Sequence, residues 1–499
     1  MKKISKAIEF IAKIFFDLPF VSKWMNKHPR VYQQLKERLT TKKFTGLSLT
    51  ILVAVFLYTL FLLIGVTQDY LVNNSLVLAD IRITNLLYIF RNDTLLHIFY
   101  FITLFAESLV IIFLSVILSL FLWTHKQRIY IFSLWLALAI GEGLTFLGKY
   151  IFHRERPDIF LRTITEDSFS FPSGHATAVV LFYGFLFYLI IRSYTSLKVR
   201  TIIFSSLVLF VVLVDLSRLY LGVHYLSDVI AGNLIGLTAL ILSIGITEWF
   251  IEKKPKMVPN KTKSFQIPII LLIAIISVFV VYFFSNSPVN KNKPMVIQKI
   301  KIENVLSLFS DKKLSHFTET ITGKTQEPIN LIIISPESCF VQNIVFANWV
   351  LAEGISLNST ERLAKTAILN QTYSTAPMTP SFYGAEPNDY GFEKQTDKNS
   401  VRARHHTRFW KTTYETPLGV LYVGTASLDT GLKWGITHAI APDIDTERDL
   451  FVSDTQKAGV VTEEKLIPFV SPTLGKNFSG DQFFTNGKAG FIVFSSCEK

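Results

Sequence analysis

Seven apolar runs, at roughly 46–66, 97–122, 130–149, 175–193, 201–222, 227–250 and 266–284, limit what this chain can become. Each is long enough to cross about 30 Å of hydrocarbon as a helix. A bilayer core offers no water to backbone N–H and C=O groups, so such runs enter it as helices that close their own hydrogen bonds. Half of the 499 residues are hydrophobic, and the formal charge is +12. That charge would suit nucleic acid or an anionic membrane surface. In a chain with this many apolar runs, the basic residues set topology instead, and no nucleic-acid partner is expected. The first strong run begins near Leu47 with no small-residue cleavage site after it, so no cleavable leader is expected.

The loops between the runs carry an alternating charge. Lys126 and Arg128 separate runs two and three, Arg192, Lys198 and Arg200 separate four and five, and Lys253, Lys254, Lys256, Lys261 and Lys263 separate six and seven. All fall on one side by alternation, together with the basic N-terminal region 1–45. Positive loops mark the cytoplasmic face. Within 1–45, Ile8, Ile11, Phe15 and Leu18 recur at helical spacing beside Lys2, Lys3, Lys6 and Lys13. This fits an interfacial helix on the inner leaflet or a helix packed on the membrane domain. Loop 150–174, the turn at 219–226 and everything after 285 then face outward. Residues 251–285 hold a cytoplasmic loop and the seventh span, which delivers residues 286–499 to the outer side.

Residues 286–499 change character. Charged and polar residues interleave with short apolar runs such as Ile329–Ile334, Gly419–Gly424 and Phe491–Phe494. That is the pattern of a soluble mixed α/β domain of about 200 residues. The expected fold is therefore a membrane all-α bundle over 46–250, a seventh transmembrane helix, and a soluble α/β domain. Cys339 and Cys497 are too few for a disulfide framework. A single bridge between them is open if the domain lies outside the cytoplasm.

Three short clusters stand at the outward ends of the apolar runs: Lys149 with Arg156-Pro157, then Pro172-Ser173-Gly174-His175, then Ser217-Arg218 with His224 and Asp228. These residue types suit phosphoryl transfer, which needs charge neutralisation around the equatorial oxygens, an in-line nucleophile and help for the leaving group. Lys149, Arg156 and Arg218 are cations, and arginine grips phosphate oxygens bidentately. Singly, each reads equally as a snorkelling interfacial cation. Pro172–His175 opens the fourth run, so helix N–H groups face an anion there, with Gly174 allowing close approach and the Ser173 hydroxyl as a donor. His224 and Asp228 are four apart and on a helix would share a face, where Asp228 can fix the imidazole tautomer.

The spacing Lys-x6-Arg-Pro, then Pro-Ser-Gly-His, then Ser-Arg-x5-His-x3-Asp resembles the type 2 phosphatidic acid phosphatase (PAP2) superfamily. The resemblance implies a six-helix bundle and a phosphohistidine formed on His224. It also implies His175 as leaving-group acid, Asp228 as the carboxylate that orients His224, and phosphate binding by Lys149, Arg156, Ser173, Gly174 and Arg218. Members of this type work without a metal, so no cofactor is expected. The expected reaction is hydrolysis of a terminal phosphate on a lipid, with undecaprenyl diphosphate first. Phosphatidic acid, phosphatidylglycerol phosphate and lipid A phosphate come next as substrates. A lipid-to-lipid phosphotransferase would use the same residues. A non-catalytic lipid-binding scaffold is a different class, and complete motifs argue against it. Vanadium-dependent haloperoxidases share the motifs but are soluble. The expected location is a bacterial inner membrane, with the site and the C-terminal domain periplasmic.

Some residues fall outside the motifs. His153 reads as loop surface. Glu107 and Glu142 lie near mid-membrane, where a carboxylate is costly; both read as packing residues, and Glu142 can also help place Lys149. In the C-terminal domain, a strand over Val401–Trp410 puts Arg402, Arg404, His406 and Arg408 on one face. That row can meet an anionic lipid headgroup or glycan phosphate, or it can be a solvated or salt-bridged sheet face. The acidic run Asp443, Asp445, Glu447 and Asp449 can supply the partners, or, with His405 and His438, ligate a metal. Thr446 followed by Asp449 also reads as a helix start. The Arg-His-His-x-Arg-Phe-Trp stretch and the Pro-Asp-Ile-Asp-x-Glu-Arg-Asp stretch are similar to the LssY-type C-terminal domain, which occurs fused to such phosphatases. The two resemblances together cover roughly 50–250 and 300–470.

Overall fold

The computed structural model describes residues 19–193, 196–254, Phe279, Tyr282, 298–369, 371–433, 437–477 and 480–497. These form two compact units. The first holds the described residues up to Leu76 and from Arg91 through the membrane helices; the second holds Val77–Phe90 with the described residues from 298 onward. The expected N-terminal amphipathic residues 8–18 and the seventh span at 266–284 lie outside the described residues, apart from Phe279 and Tyr282.

The first unit begins with short helices α1 (Pro19–Lys27) and α2 (Pro29–Arg38). Helix α3 (Leu49–Leu71) leads to α4 (Ser75–Ile89). Then come α5 (Asp93–Leu104), α6 (Ser108–Thr124), α7 (Arg128–Phe152), α8 (Gly174–Ser193), α9 (Leu197–Tyr220) and α10 (Leu226–Lys253). Five of these are long and apolar enough to cross a membrane, and α5 with α6 makes a sixth candidate, bent by 41° at its break. The first six apolar runs of the sequence fall on these six. The second is broken at Phe105–Glu107, which the run 97–122 did not show. Large apolar side chains such as Phe61, Ile64, Leu120 and Leu209 are exposed on the helix flanks. In water they would form a patch that needs covering; lipid solvates them. The inner faces pack Leu114, Leu134, Leu181, Phe182, Phe185 and Ala239 into one core.

Helix α10 reaches the start of α8 because residue 232 is glycine. A Cβ there would lie 2.4 Å from the Ser173 carbonyl oxygen, so a side chain would push the two helices apart. The carbonyl of Asp228 also accepts from the Ser173 N–H at 3.0 Å. Two of the three motif clusters are thereby tied backbone to backbone.

The second unit is built on a nine-stranded sheet. Its main strands are β1 (Leu331–Ser335), β2 (Val350–Leu351), β3 (Tyr390–Ser400), β4 (Ala403–Thr416), β5 (Gly419–Lys433), β6 (Val461–Pro468) and β7 (Lys488–Phe494). They run in the order β6-β7-β1-β5-β4-β3-β2. The β7–β1 pair is parallel and the others are antiparallel. β1 is buried on both faces, as an unbroken apolar strand should be. Leu331 and Ile333 join Phe340, Phe409, Tyr422 and Phe451 on one side; Ile332 and Ile334 join Trp410, Leu421 and Val423 on the other. Helices α11 (Phe340–Phe346) and α12 (Ile444–Lys457) cover the first side. The mixed α/β expectation agrees with this architecture. Cys339 and Cys497 form a disulfide, with Cα atoms 5.4 Å apart.

Helix α4 has no counterpart in the apolar runs, because Asp80, Arg82 and Asn85 interrupt it. These residues are buried in the second unit. Arg82 pairs with Glu319. The Asn85 amide donates to the Ala385 carbonyl at 3.2 Å and to Glu386 Oε1 at 2.9 Å. Residues 77–90 thus interrupt the 46–250 stretch and group with the C-terminal domain.

The expected cation row is a buried network rather than an exposed face. Arg404 pairs with Glu393 and Asp429, not with the acidic run. Arg402 sits on the turn and donates to the Ala367 carbonyl at 2.8 Å. In the acidic run, Asp443 caps α12 by accepting from the Asp445 N–H at 3.0 Å, so the helix cap lies three residues before Thr446. Asp445 pairs with Arg448, and Glu447 lies 2.7 Å from His405 Nδ1 on the opposite face from His406.

Candidate active site

All eight residues singled out from the sequence come to one end of the membrane bundle. Lys149 lies in the last turn of α7, and its ammonium donates to Ser168 Oγ at 3.0 Å and the Phe169 carbonyl at 2.6 Å. Arg156 lies in the loop after α7. Its guanidinium donates to the carbonyls of Ser168 and Val223, each at 2.7 Å, and lies 3.2 Å from His224 Nε2. Arg218, in the last turn of α9, donates to Thr103 Oγ1 at 2.9 Å. Gly174 and His175 are the first residues of α8. Ser173, just before them, is fully buried, and its Oγ has no hydrogen-bond partner among the described residues. Arg218 Nε is buried and unpartnered in the same sense. A phosphoryl oxygen can satisfy such donors, and a buried donor left unmet is costly.

His224 is not on a helix with Asp228, as the spacing suggested. It lies in the turn before α10, and Asp228 is the third residue of that helix, where its carboxylate accepts from the Tyr225 N–H at 2.8 Å. The pairing survives the change: His224 Nδ1 lies 3.4 Å from Asp228 Oδ2. Burial first, then Arg156, Arg218 and Lys149, push the His224 imidazole well below its ordinary pKa. The ring is held neutral, with Nε2 turned to the cations. Gly222 makes this turn possible, because its φ is +69° and a Cβ would lie 2.1 Å from the Leu161 carbonyl oxygen.

Four residues were missed by sequence reasoning. Arg154 donates to Asp228 Oδ1 and to Ser227 Oγ, both at 2.6 Å, and stacks on the Tyr225 ring at 4.3 Å. Ser170 Oγ donates to Asp228 Oδ2 at 2.5 Å. Asp228 is therefore gripped on both oxygens before it meets His224. Glu166 bridges the cations: one oxygen pairs with Arg218, and the other lies 3.5 Å from Arg156 Nη2. Burial alone would raise its carboxyl, but Arg218, His175 and Arg156 outweigh that and hold it at about 2. Glu107, read from the sequence as packing, sits at the α5–α6 break with Oε2 3.1 Å from His175 Nε2. Glu166 is one of four acids in this loop, with Glu155, Asp158 and Asp167, and nothing in the sequence singled it out. Arg154 was visible only as a second arginine two positions before Arg156.

His153 caps α7 in a left-handed conformation against Phe169, at 4.6 Å between rings. Glu142 is half-buried, and its buried Oε1 has no hydrogen-bond partner among the described residues; Lys149 turns instead to Ser168 and Phe169.

Parts of the chain are similar to known proteins. A profile of the PAP2 superfamily matches residues 127–252, and one described as LssY C-terminus matches residues 311–489. Phosphatidylglycerophosphatase B of Bacillus subtilis is 28% identical over 191 residues, covering 38% of this chain and 94% of the relative. Two solved structures are similar. The transmembrane PAP2-type phosphatidylglycerolphosphate phosphatase from Bacillus subtilis is 27% identical with a TM-score of 0.34, covering 40% of this chain and 96% of that one. LpxE from Aquifex aeolicus is 26% identical with a TM-score of 0.25, covering 32% and 92%. The PAP2 match contains every residue of the three clusters, and the structure gathers them at one end of a helical bundle. Residues 127–252 thus match a PAP2-type domain set among helices long and apolar enough to cross a membrane, and residues 311–489 match an LssY-type C-terminal domain.

Proposed function

We propose that this enzyme removes a terminal phosphate from a lipid (di)phosphate through a phosphohistidine on His224. The observation that carries the reading is the neutral His224 ring, backed by Asp228 and facing Arg156. Lys149, Arg156, Arg218, the Ser173 hydroxyl and the α8 N-terminus hold the phosphoryl oxygens. They do the electrostatic work that a metal does elsewhere. Glu166 occupies the space between Arg156 and Arg218 and yields to the incoming phosphate. His224 Nε2 then attacks phosphorus in line. As the P–O bond breaks, His175 gives its proton to the leaving oxygen. Water next attacks the phosphohistidine, His175 takes a proton back, the P–N bond breaks, and His224 returns to its neutral form.

The site is read as outward-facing, on the periplasmic side of a bacterial inner membrane. Lys126, Arg128, Arg192, Lys198 and Lys253 lie at the opposite helix ends from the site, in keeping with the positive-inside rule. The disulfide supports an oxidising compartment for the C-terminal domain. The α3 end that leads into α4 is on the site's side by alternation, and α4 groups with that domain. An outward site agrees with undecaprenyl diphosphate as substrate, which the family resemblance implies. The second reading, phosphatidylglycerol phosphate, is favoured by the Bacillus subtilis relative.

The test is phosphate release by the detergent-purified protein with EDTA present. The panel holds undecaprenyl diphosphate, phosphatidylglycerol phosphate, phosphatidic acid and lipid A, each beside His224→Ala. Release from one or more lipids, lost in the variant, is the expected result. Label transferred to a second lipid instead of to solution would replace hydrolysis with phosphotransfer. Equal release from the variant would remove His224 from its role.

A further inference from the structure

The C-terminal unit contains a second constellation with the geometry of a catalytic site, unrelated to phosphate. β4 and β5 are neighbouring antiparallel strands, and His406 pairs directly with Ser427 across them. Ser427 Oγ lies 2.9 Å from His406 Nε2. His406 Nδ1 lies 3.2 Å from Asp429 Oδ1, out of line for a straight hydrogen bond. Asp429 is two residues beyond Ser427, so the strand's period of two puts it on the same face. Arg404 Nε lies 3.3 Å from the other Asp429 oxygen and steadies that carboxylate. Ser427, His406 and Asp429 are all at most 4% exposed, and all line a cavity of about 310 Å³. Arg408 lines it as well, with Nη1 2.8 Å from His406 Nε2.

Hydroxyl, imidazole and carboxylate in this order, with Nε2 toward the hydroxyl and Nδ1 toward the carboxylate, are what nucleophilic acyl transfer requires, whatever the fold. Two donors, the Ser427 hydroxyl and an arginine N–H that is always protonated, face Nε2. The ring proton therefore belongs on Nδ1, toward Asp429, which leaves Nε2 as the base. Burial lowers the His406 pKa, with Asp429 opposing it, which keeps Nε2 unprotonated. A purely structural network would not need to open onto a cavity. This one does, and the cavity's size sits at the small end of ligand pockets.

We propose that Ser427, His406 and Asp429 form an acyl-hydrolase site that cleaves short-chain carboxylic esters, independent of the membrane phosphatase site. Ser427 Oγ bonds to the ester carbonyl carbon as its proton passes to His406 Nε2. Arg408 donates to the oxygen that becomes negative. The C–O bond to the alcohol then breaks, and the alcohol leaves with the proton from His406. Water attacks the acyl-serine and gives a proton to His406. The C–Oγ bond breaks, Ser427 recovers its proton, and the carboxylic acid departs. Ile321, Pro380 and Phe382 on the cavity wall receive the acyl group.

The experiment uses the full-length protein in detergent. An alkyl fluorophosphonate, which bonds covalently to activated serines, is added first, and the adduct is then mapped by mass spectrometry. Hydrolysis of p-nitrophenyl acetate and butyrate is measured beside it. The expected result is one adduct on Ser427 in the wild type and in His224→Ala, with ester hydrolysis intact in that variant. Ser427→Ala loses adduct and hydrolysis but keeps phosphate release. His406→Gln and Asp429→Asn slow labelling at least about 100-fold. A wild-type protein that releases phosphate yet gives no Ser427 adduct overturns the proposal. So does an adduct that forms equally fast in a folded His406→Gln, or an adduct without ester turnover. Loss of ester hydrolysis in His224→Ala but not in Ser427→Ala would assign the esterase activity to the membrane site and refute the second one.

Discussion

At the residue scale, the new element in the proposed phosphatase site is Glu166, a carboxylate lodged where the proposed substrate phosphate would sit. It pairs with Arg218 and reaches Arg156, so substrate binding must break those pairs. Glu166→Gln should lower KM, on the order of tenfold, with kcat little changed, in a phosphate-release assay. The sign of its shift sets the pH behaviour. The folded carboxyl is held at about 2, below its unfolded value, so its contribution is complete above about pH 5 and fades only as pH falls toward 2. The ratio of KM between wild type and variant should therefore stay constant from pH 5 to 9. A ratio that moves within that window would mean the carboxylate is not held by the arginines. Glu107 makes the complementary case. Its oxygen lies 3.1 Å from His175 Nε2, so in the proposed mechanism it positions the leaving-group acid. Glu107→Gln should slow hydrolysis of monoesters more than of diphosphates, whose inorganic phosphate leaving group needs less protonation. The whole acid is worth roughly 10²–10⁴-fold, and the variant should lose part of that; equal losses on both substrates would remove the assignment. The motif residues were legible because phosphate chemistry demands particular side chains at particular spacings. Glu107 and Glu166 were not, because a carboxylate has several ordinary uses, and only three-dimensional neighbours reveal which applies.

At the scale of elements, the six described spans were readable because bilayer thickness fixes the length of an apolar run. What escaped was short or mixed. The α5–α6 break lies inside an apolar run, and α4 carries Asp80, Arg82 and Asn85 on an otherwise apolar helix. The strand with Arg404 and His406 was readable by alternation, but its burial was not, because the partners Glu393 and Asp429 come from the neighbouring strands β3 and β5. The contact of α10 with the start of α8 was also hidden, since a glycine in an apolar helix has no outward signal of closeness. Gly232 carries a direct consequence. A side chain there meets the Ser173 carbonyl, and overpacking of this kind costs about 1–3 kcal/mol. Gly232→Val should leave helical content by circular dichroism unchanged while phosphate release falls sharply, because Ser173 and His175 move relative to His224. Activity close to wild type would show that the helix ends are not tied as described.

At the scale of the whole molecule, the two compact units differ in what stabilises them. The membrane unit keeps large apolar side chains on its flanks and relies on lipid to solvate them. The C-terminal unit closes two apolar cores around one sheet and adds the Cys339–Cys497 bridge. That bridge joins residues 158 apart. Closing so long a loop removes unfolded-chain entropy worth up to about 5 kcal/mol, with about 2–5 kcal/mol usual for native bridges. Both cysteines lie inside the C-terminal unit, so the effect should stay there. The Cys339→Ser, Cys497→Ser double variant should unfold that unit at a temperature lower by roughly 5–15 °C. The change can be read from tryptophan fluorescence, because Trp349 and Trp410 are buried in its cores. Phosphate release at temperatures below that transition should be unchanged. An unshifted melt would mean that the bridge adds nothing the two cores do not already supply. A loss of phosphate release while the C-terminal unit is still folded would mean that the membrane site depends on the bridge itself, which the grouping of residues into two units argues against.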